Sequence, residues 1–531
     1  MKRFLILFLL ILSLTPRIYS NDGDLDKTFN NTGKVTLKGK KFSIAYATLV
    51  QPDKKVVVTG TVDTKFTVTR LMPNGTLDQS FGTGGVVTLP IINTNGLNEA
   101  NVLQSNGNIV ITGSSNDKFT IVRLKPNGAL DTTFGTGGIV QFILGYGTDS
   151  NAIALQKNGK IVIGGDSYAG RGLAISRLDA NGVLDPSFTD GVSGNGKVLF
   201  LFDLNAFGNG VAIQKDGKIL LCGVIANFFS IIRLQSNGAL DLGFGPFGLG
   251  YVPIVSGVAA SATSIVVQPN QKILAGGKSD GKFVLARLNS DGSFDTSFNG
   301  NGFVQTSIGN AAIINSIMLQ PWDGKIVVGG YSVVGTQRFT LARYTPNGKL
   351  DTNFGNAGIV ITKFGGKHPI NEAVQSIAID VISRKIVAAG YTNARTAIAR
   401  YIASIPLTVT FPVNGSSVTF PVVITGTADA GSTLKIKIVN VQTGRTLLAT
   451  VVVDATGNWS YTPATLILGK NILTVTETPA PVKSGKKSDK VFNASIDPTT
   501  VTVAFTLLPP ASVIPSSLCK TACVKPVKSC C

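Results

Sequence analysis

The feature that most limits how this chain can fold is repetition. Seven aspartates, Asp26, Asp78, Asp131, Asp185, Asp241, Asp295 and Asp351, are each preceded by Leu (once by Phe294) and followed three residues later by Phe29, Phe81, Phe134, Phe188, Phe244, Phe298 or Phe354. Successive copies lie 52 to 56 residues apart. An arginine followed by Leu or Tyr recurs in step, at Arg70, Arg123, Arg177, Arg233, Arg287, Arg343 and Arg400. A period of this length marks a unit that buries its apolar face only by packing on copies of itself.

Each repeat reads as four short β-strands. In the second repeat these are Gly85 to Leu89, Ala100 to Gln104, Asn108 to Gly113 and Lys118 to Lys125, rich in β-branched and aromatic residues and too short for helices. Asn106-Gly107, Asn158-Gly159 and Asp216-Gly217 accept positive φ and predict tight hairpins. Seven such units predict an all-β chain with a seven-bladed β-propeller over residues 21–405, since radial repetition leaves only short, protected sheet edges. The chain enters with a Leu-Asp-x-x-Phe element and leaves with an Arg-Tyr element. These are complementary halves, so Asp26 and Arg400 are expected to meet where the ring closes. In the six internal cases the arginine precedes the aspartate by eight residues across a tight turn. That spacing suits a scaffold ion pair better than a catalytic group. The third strand of each repeat ends in small residues such as Gly164-Gly165 and Cys222-Gly223, read as places of close approach between neighbouring blades.

The repeats resemble the delta-60 repeat proteins. The resemblance is carried by Gln214-Lys215-Asp216-Gly217-Lys218-Ile219 and by Gly135-Thr136-Gly137-Gly138 after the Leu-Asp-x-x-Phe element, and it covers about residues 23 to 402. It implies a β-propeller-like fold and export, and brings no catalytic residues with it. The spacing departs from the pattern at Asp190 to Gly196 and at Pro246 to Gly250.

Two kinds of loop alternate around such a ring. The Asn-Gly hairpins and the Leu-Asp-x-x-Phe links are stereotyped. The others vary, with insertions at Asp166 to Arg171 and Tyr331 to Arg338. Variable loops on a rigid scaffold are where function gathers, so Tyr146, Asp149, Tyr168, Arg171, Tyr331, Arg338, His368 and Arg395 are the candidate ligand-binding residues. The expected partner is a protein or a glycan. The alternative is a polysaccharide-acting hydrolase or lyase using a carboxylate pair such as Asp149 with Glu99 or Glu372. A non-enzymatic role is favoured: there is one histidine, His368, and no nucleophile elbow, phosphate loop or zinc motif. No cofactor or metal is expected, because Asp22, Asp24 and Asp26 lack the glycine and glutamate of a calcium loop. The net charge of +19 is spread over 531 residues, describing a mildly basic surface and no nucleic-acid arm.

The ends carry their own signals. Met1-Lys2-Arg3 and the apolar run Phe4 to Leu14 read as a secretory signal over residues 1–20, too short to span a bilayer. The expected location is extracellular, cell-surface or periplasmic. Residues 406–497 read as short strands with turns, a β-sandwich. Pro412-Val413-Asn414-Gly415 and Gly457-Asn458-Trp459-Ser460-Tyr461 resemble bacterial immunoglobulin-like repeats, which implies a spacer or adhesive module. Residues 498–531 are expected to form a flexible tail, with Cys519, Cys523, Cys530 and Cys531 as disulfide candidates within the chain or between chains. Cys222 stands alone in an apolar run and reads as a packing residue.

Overall fold

The computed structural model describes residues 22–37, 43–92, 100–167, 171–190, 194–202, 205–257, 259–365, 371–393, 395–404, 407–428, 432–454, 457–478 and 500–508. The signal segment, Tyr168, His368, Glu99 and the four tail cysteines lie outside them. The described residues fall into two compact units, those from Asp22 to Ser404 and those from Leu407 to Leu508.

Among the described residues the first unit holds seven four-stranded antiparallel sheets. The first contains Ser43–Val50, Val56–Val62, Lys65–Leu71 and Val86–Ile92; the second contains Ala100–Leu103, Ile109–Ser115, Lys118–Leu124 and Ile139–Phe142. The third to sixth follow in chain order, beginning at Asp149, Ala206, Ser261 and Ala312. The seventh combines both ends: Glu372–Asp380, Lys385–Thr392 and Arg395–Ile402 are completed by Lys34–Thr36, with Val35 opposite Ile398. Apolar clusters then run from sheet to sheet. Val56 and Val58 of the first pack with Val387, Ala389 and Ile398 of the seventh, so the succession returns on itself.

The grouping of strands differs from the sequence reading by one. Val86–Ile92 does not open the second sheet; it pairs with Lys65–Leu71 as the outermost strand of the first. The cause is the Leu-Asp-x-x-Phe loop. Asp78 N–H donates to Arg70 O, Phe81 N–H to Asp78 O and Gly85 N–H to Phe81 O, reversing the chain so that the next strand returns beside the last. The two classes of loop still emerge at opposite ends of the strands.

The paired small residues have two jobs because strand side chains alternate. A Cβ on Gly164 would meet Leu221 of the neighbouring sheet at 2.6 Å, as the sequence suggested, but one on Gly165 would stand 1.9 Å from Asp149 O in its own sheet. That carbonyl is pushed inward by a bulge between Ser150 and Ala152. The bulge residues also stitch the sheets together: Asn151 Nδ2 donates to Gly208 O (2.9 Å), Asn209 Nδ2 to Ala262 O (2.7 Å), Thr263 to Ile314 O and Asn315 Nδ2 to Val374 O (2.7 Å).

The second unit has a five-stranded sheet, ordered Ser417–Thr419, Thr500–Leu508, Gly469–Thr478, Thr433–Asn440 and Thr446–Val452, and a two-stranded sheet of Ile424–Thr427 with Asn458–Tyr461. Leu434, Ile436, Leu473, Val475 and Phe505 form its core with Trp459, whose indole N–H donates to Thr427 O at 3.3 Å. Thr500–Leu508 corrects the tail boundary. Its alternation of buried Val503, Phe505 and Leu507 with more exposed residues is that of a half-buried strand, and the preceding run rich in Pro, Lys and Ser separates it from its partners in sequence.

Candidate functional site

On the stereotyped side, the repeated Arg, Asp and Phe form a buried clasp. Arg123 Nε donates to Asp131 Oδ2 at 2.8 Å, and the guanidinium carbon sits 4.5 Å from the centre of the Phe134 ring. Nη1 donates to Ala180 O in the next sheet. Asp131 Oδ1 in turn accepts from the Thr133 hydroxyl at 2.8 Å. Arg70, Arg177, Arg233, Arg287 and Arg343 repeat this with Asp78, Asp185, Asp241, Asp295 and Asp351, at 2.5 to 2.7 Å. Each lies over its own phenylalanine and reaches a carbonyl about one repeat ahead.

The seam uses the same parts from opposite ends of the chain. Arg400 Nε donates to Asp26 Oδ2 at 2.8 Å, Arg400 lies 4.7 Å from the Phe29 ring centre, and its Nη1 donates to Pro73 O in the first sheet. Asp22 adds a contact with Arg343 at 2.6 Å. The lysine that closes the turn four residues after its glutamine supplies a second cation: Lys160, after Gln156, lies 2.7 Å from Asp185, Lys272, after Gln268, lies 2.7 Å from Asp295, and Asn108 takes this place beside Asp131. Burial pushes the clasp carboxyls up, but hydrogen bonds from Ser80 and Lys55 and the charge of Arg70 outweigh it and hold Asp78 well below the usual carboxylate range. Such groups are saturated with partners, and their arrangement is that of a fastening.

The variable side carries the candidate ligand-binding residues in two groups. On the third sheet, Tyr146 is 74% exposed and its carbonyl accepts from Ser167 Oγ at 3.3 Å. Asp149 stands directly across the strands from Asp166, and exposed Arg171 immediately precedes the next strand, Gly172–Leu178. Asp166, only 6% exposed, accepts from Asn151 Nδ2 at 2.8 Å. Burial, with Asp149 opposite, pushes its carboxyl up to about 7. Its neighbour Asp149 is therefore paired with a residue that the sequence reading did not select, while Glu372 sits on the seventh sheet.

The second group spans the sixth and seventh sheets. The inserted residues lengthen both strands of one hairpin, Ile326–Val334 and Thr336–Tyr344, to nine residues. Arg338 on this hairpin has Nη1 3.8 Å from Glu372 Oε2. Glu372, 1% exposed, accepts at Oε1 from the Phe364 N–H (2.9 Å) and the Thr392 hydroxyl (3.1 Å). Tyr391 donates its hydroxyl to Gln337 Oε1 at 3.1 Å, and its phenol is pushed up by burial and by Tyr331 beside it. Arg395 is exposed on the next hairpin, opposite Thr392. Tyr331 and Arg338 thus share a locality with Glu372, which the sequence offered only as a partner for Asp149, and with Gln337 and Tyr391, which sequence reasoning missed. Cys222 is buried in the fourth sheet and burial pushes its thiol up, the opposite of what a nucleophile needs.

No curated protein matches the sequence. Similar solved structures include a catalytically inactive virginiamycin B lyase from Staphylococcus aureus with quinupristin, 12% identical with TM-score 0.45, the match covering 70% of this chain and 98% of that one. A streptogramin B lyase is 14% identical with TM-score 0.44, covering 69% and 96%. The RRP9 WD40 repeats are 12% identical with TM-score 0.40, covering 69% and 97%. Six segments, residues 51–81, 104–134, 156–188, 214–244, 268–298 and 323–354, match the family described as a domain of unknown function (DUF5122) beta-propeller, and with the repeated four-stranded sheets they make the first unit a repeat β-propeller.

Proposed function

We propose that this chain is an exported surface or envelope protein that recognises a protein or glycan partner through the variable side of a seven-bladed propeller. The second unit serves as an immunoglobulin-like spacer, and the cysteine-bearing tail as a tether that forms disulfides within the chain or with another molecule. The observation that carries the reading is the group around the sixth and seventh sheets. A tyrosine, an arginine and a glutamine on a hairpin longer than its counterparts meet a second tyrosine from the seventh sheet, while the opposite side is occupied by clasps. Aromatic faces and a guanidinium are the groups that grip sugar rings and acidic or aromatic side chains. A glycan and surface-protein array probed with the purified full chain tests it. Binding that falls about tenfold or more on Tyr331→Ala or Arg338→Ala supports the proposal; capture that survives both variants, or no capture, counts against it.

The second reading is a polysaccharide-acting hydrolase or lyase. It is favoured by Asp166, whose carboxyl burial pushes up to about 7 and which stands directly across the strands from Asp149, since a carboxyl raised in this way can serve as a general acid. Release of reducing or unsaturated ends from a polysaccharide panel, lost in Asp166→Asn and Asp149→Asn, would support it.

A further inference from the structure

Each Leu-Asp-x-x-Phe link runs from its phenylalanine to a glycine that stands just before the outermost strand of a sheet. The interval is four residues at Phe29 to Gly33, Phe81 to Gly85, Phe134 to Gly138, Phe298 to Gly302 and Phe354 to Gly358. It is eight at Phe188 to Gly196 and six at Phe244 to Gly250. The strands beyond the long links keep their place: Arg177 N–H donates to Gly196 O and Arg233 N–H to Gly250 O, both at 2.9 Å, as Arg70 N–H does to Gly85 O. The added residues are therefore taken up in the loops. One long link belongs to the third sheet and the other to the fourth, and these two sheets share a core.

A cavity of about 430 Å³ opens where they meet, with Asp190 of the first long link and Leu249 of the second in its wall. The rest of the wall is aliphatic or aromatic and includes Phe200, Phe202, Leu240 and Tyr251. Phe202 meets Tyr251 edge-on across the junction, with ring centres 6.4 Å apart. The residues matching Phe200 and Phe202 in the first, second and fifth sheets, Leu89 and Ile91, Phe142 and Leu144, and Thr306 and Ile308, are buried. Phe200 and Phe202 stay half-buried, so the packing that closes those junctions stops short at this one.

We propose that this cavity is a binding site for a small cationic amphiphile, a protonated amine on an apolar, ring-bearing body. Its volume lies in the range of ligand sites, about 300–1,000 Å³, and since about 150 Å³ accommodates benzene, it takes a body of roughly two or three rings. The lining sets the sign of the charge. Among the described residues that line it, Asp190 is the one acid and there is no lysine or arginine. A carboxylate has about four acceptor sites, so bonds made within the protein do not exhaust it. The aromatic share of the wall favours the same partner, because aromatic faces attract cations. A fatty acid or a phosphate headgroup would set its charge against Asp190. None of the lining residues is among those proposed to meet a protein or glycan on the variable side.

Saturation-transfer NMR titrations of the full chain near neutral pH test this with three soluble probes of one shape: 4-phenylbutylamine, 4-phenylbutanol and 4-phenylbutyrate. The amine is expected to bind saturably at about 1 mM or tighter, and about tenfold or more tightly than the butyrate. Leu249→Trp fills the cavity from its wall and should abolish binding of the amine and the alcohol with the circular dichroism spectrum unchanged. Asp190→Asn should weaken the amine about tenfold while leaving the alcohol unchanged. Should Asp190→Asn disturb its loop, the ratio of amine to butyrate in the unaltered chain carries the charge, and Leu249→Trp, at a residue 46% exposed, carries the site. No saturable binding of the amine, binding indifferent to Leu249→Trp, or equal affinity for amine and butyrate overturns the proposal.

Discussion

Arg123 in the first unit and Trp459 in the second are both buried, and both hold separate sheets together, by different physics. Arg123 does so with a charge: it satisfies Asp131, covers Phe134 and reaches the carbonyl of Ala180 one sheet on. Trp459 does so mainly with area, packing among Leu434, Ile436, Leu473 and Phe505. A sheet that must meet identical neighbours on both faces needs a contact with direction, because apolar surface alone does not fix its angle or register. A two-sheet pack closes on one core, and shape is sufficient. The contrast extends to edges, since the repeats protect theirs by succession, whereas among the described residues no strand pairs with the outer side of Thr446–Val452 in the second unit.

Calorimetry on single-site variants gives the largest test. Arg123→Ala strands Asp131 in the interior and should cost about 3–5 kcal/mol, lowering the transition of the repeat unit alone. Trp459→Ala should cost about 3–5 kcal/mol, lowering only that of the second unit; if either variant moves both transitions together, the units do not differ as described. Arg400→Ala breaks the clasp at the seam and is expected to cost about 3 kcal/mol. It should also expose Asp22–Thr36 to limited proteolysis, which Arg233→Ala should not do.

Titration sharpens the comparison within the first unit. Asp166 has its carboxyl raised in the folded state to about 7 from an ordinary 3.8, so the stability linked to its proton is present below pH 4 and lost as pH rises through 7. Asp166→Asn should accordingly gain about 1–3 kcal/mol at pH 8 and nothing near pH 4 in urea unfolding. Asp295 behaves oppositely. Burial raises it, but Lys272, Ser297 and Arg287 outweigh burial and hold it at about 2. Its stabilisation is therefore present above pH 4 and lost as pH falls through 2, and Asp295→Asn should cost about 1–3 kcal/mol at pH 7 with the difference closing toward pH 2. The smallest effect is expected at Ser264, whose hydroxyl accepts the Ile317 N–H at 3.1 Å between the fifth and sixth sheets. Ser264→Ala should cost about 1 kcal/mol, measured by the same unfolding curves.

The repeats were legible because each clasp leaves its mark within one short stretch: eight residues from Arg70 to Asp78 and three more to Phe81. The third leg, from Arg70 to Pro126 O, spans 56 residues and ends on a backbone atom, where any side chain serves and no pattern is written. Strand grouping was misread for a related reason. Val86–Ile92 looks alike whether it opens one sheet or finishes another, and only the backbone bonds of the loop before it decide. On the variable side, Tyr331 and Arg338 were picked out by the insertion they bound, and Asp149 by its place on the variable loops. Tyr391 acquires its surroundings from the neighbouring sheet and its own sequence context is ordinary; Asp166 opens an insertion and Glu372 was weighed beside Asp149, but neither context shows the strand that faces it.

The seam at Lys34–Thr36 also sets an order of events. Asp26 must wait for Arg400, 374 residues later, so a chain delivered from its N-terminus holds one strand and one carboxylate in reserve until its last repeat has emerged. Contacts this distant in sequence form late and slowly. Until then Arg395–Ile402 has no outer neighbour, and any truncation before Arg400 leaves that reserve permanently unspent.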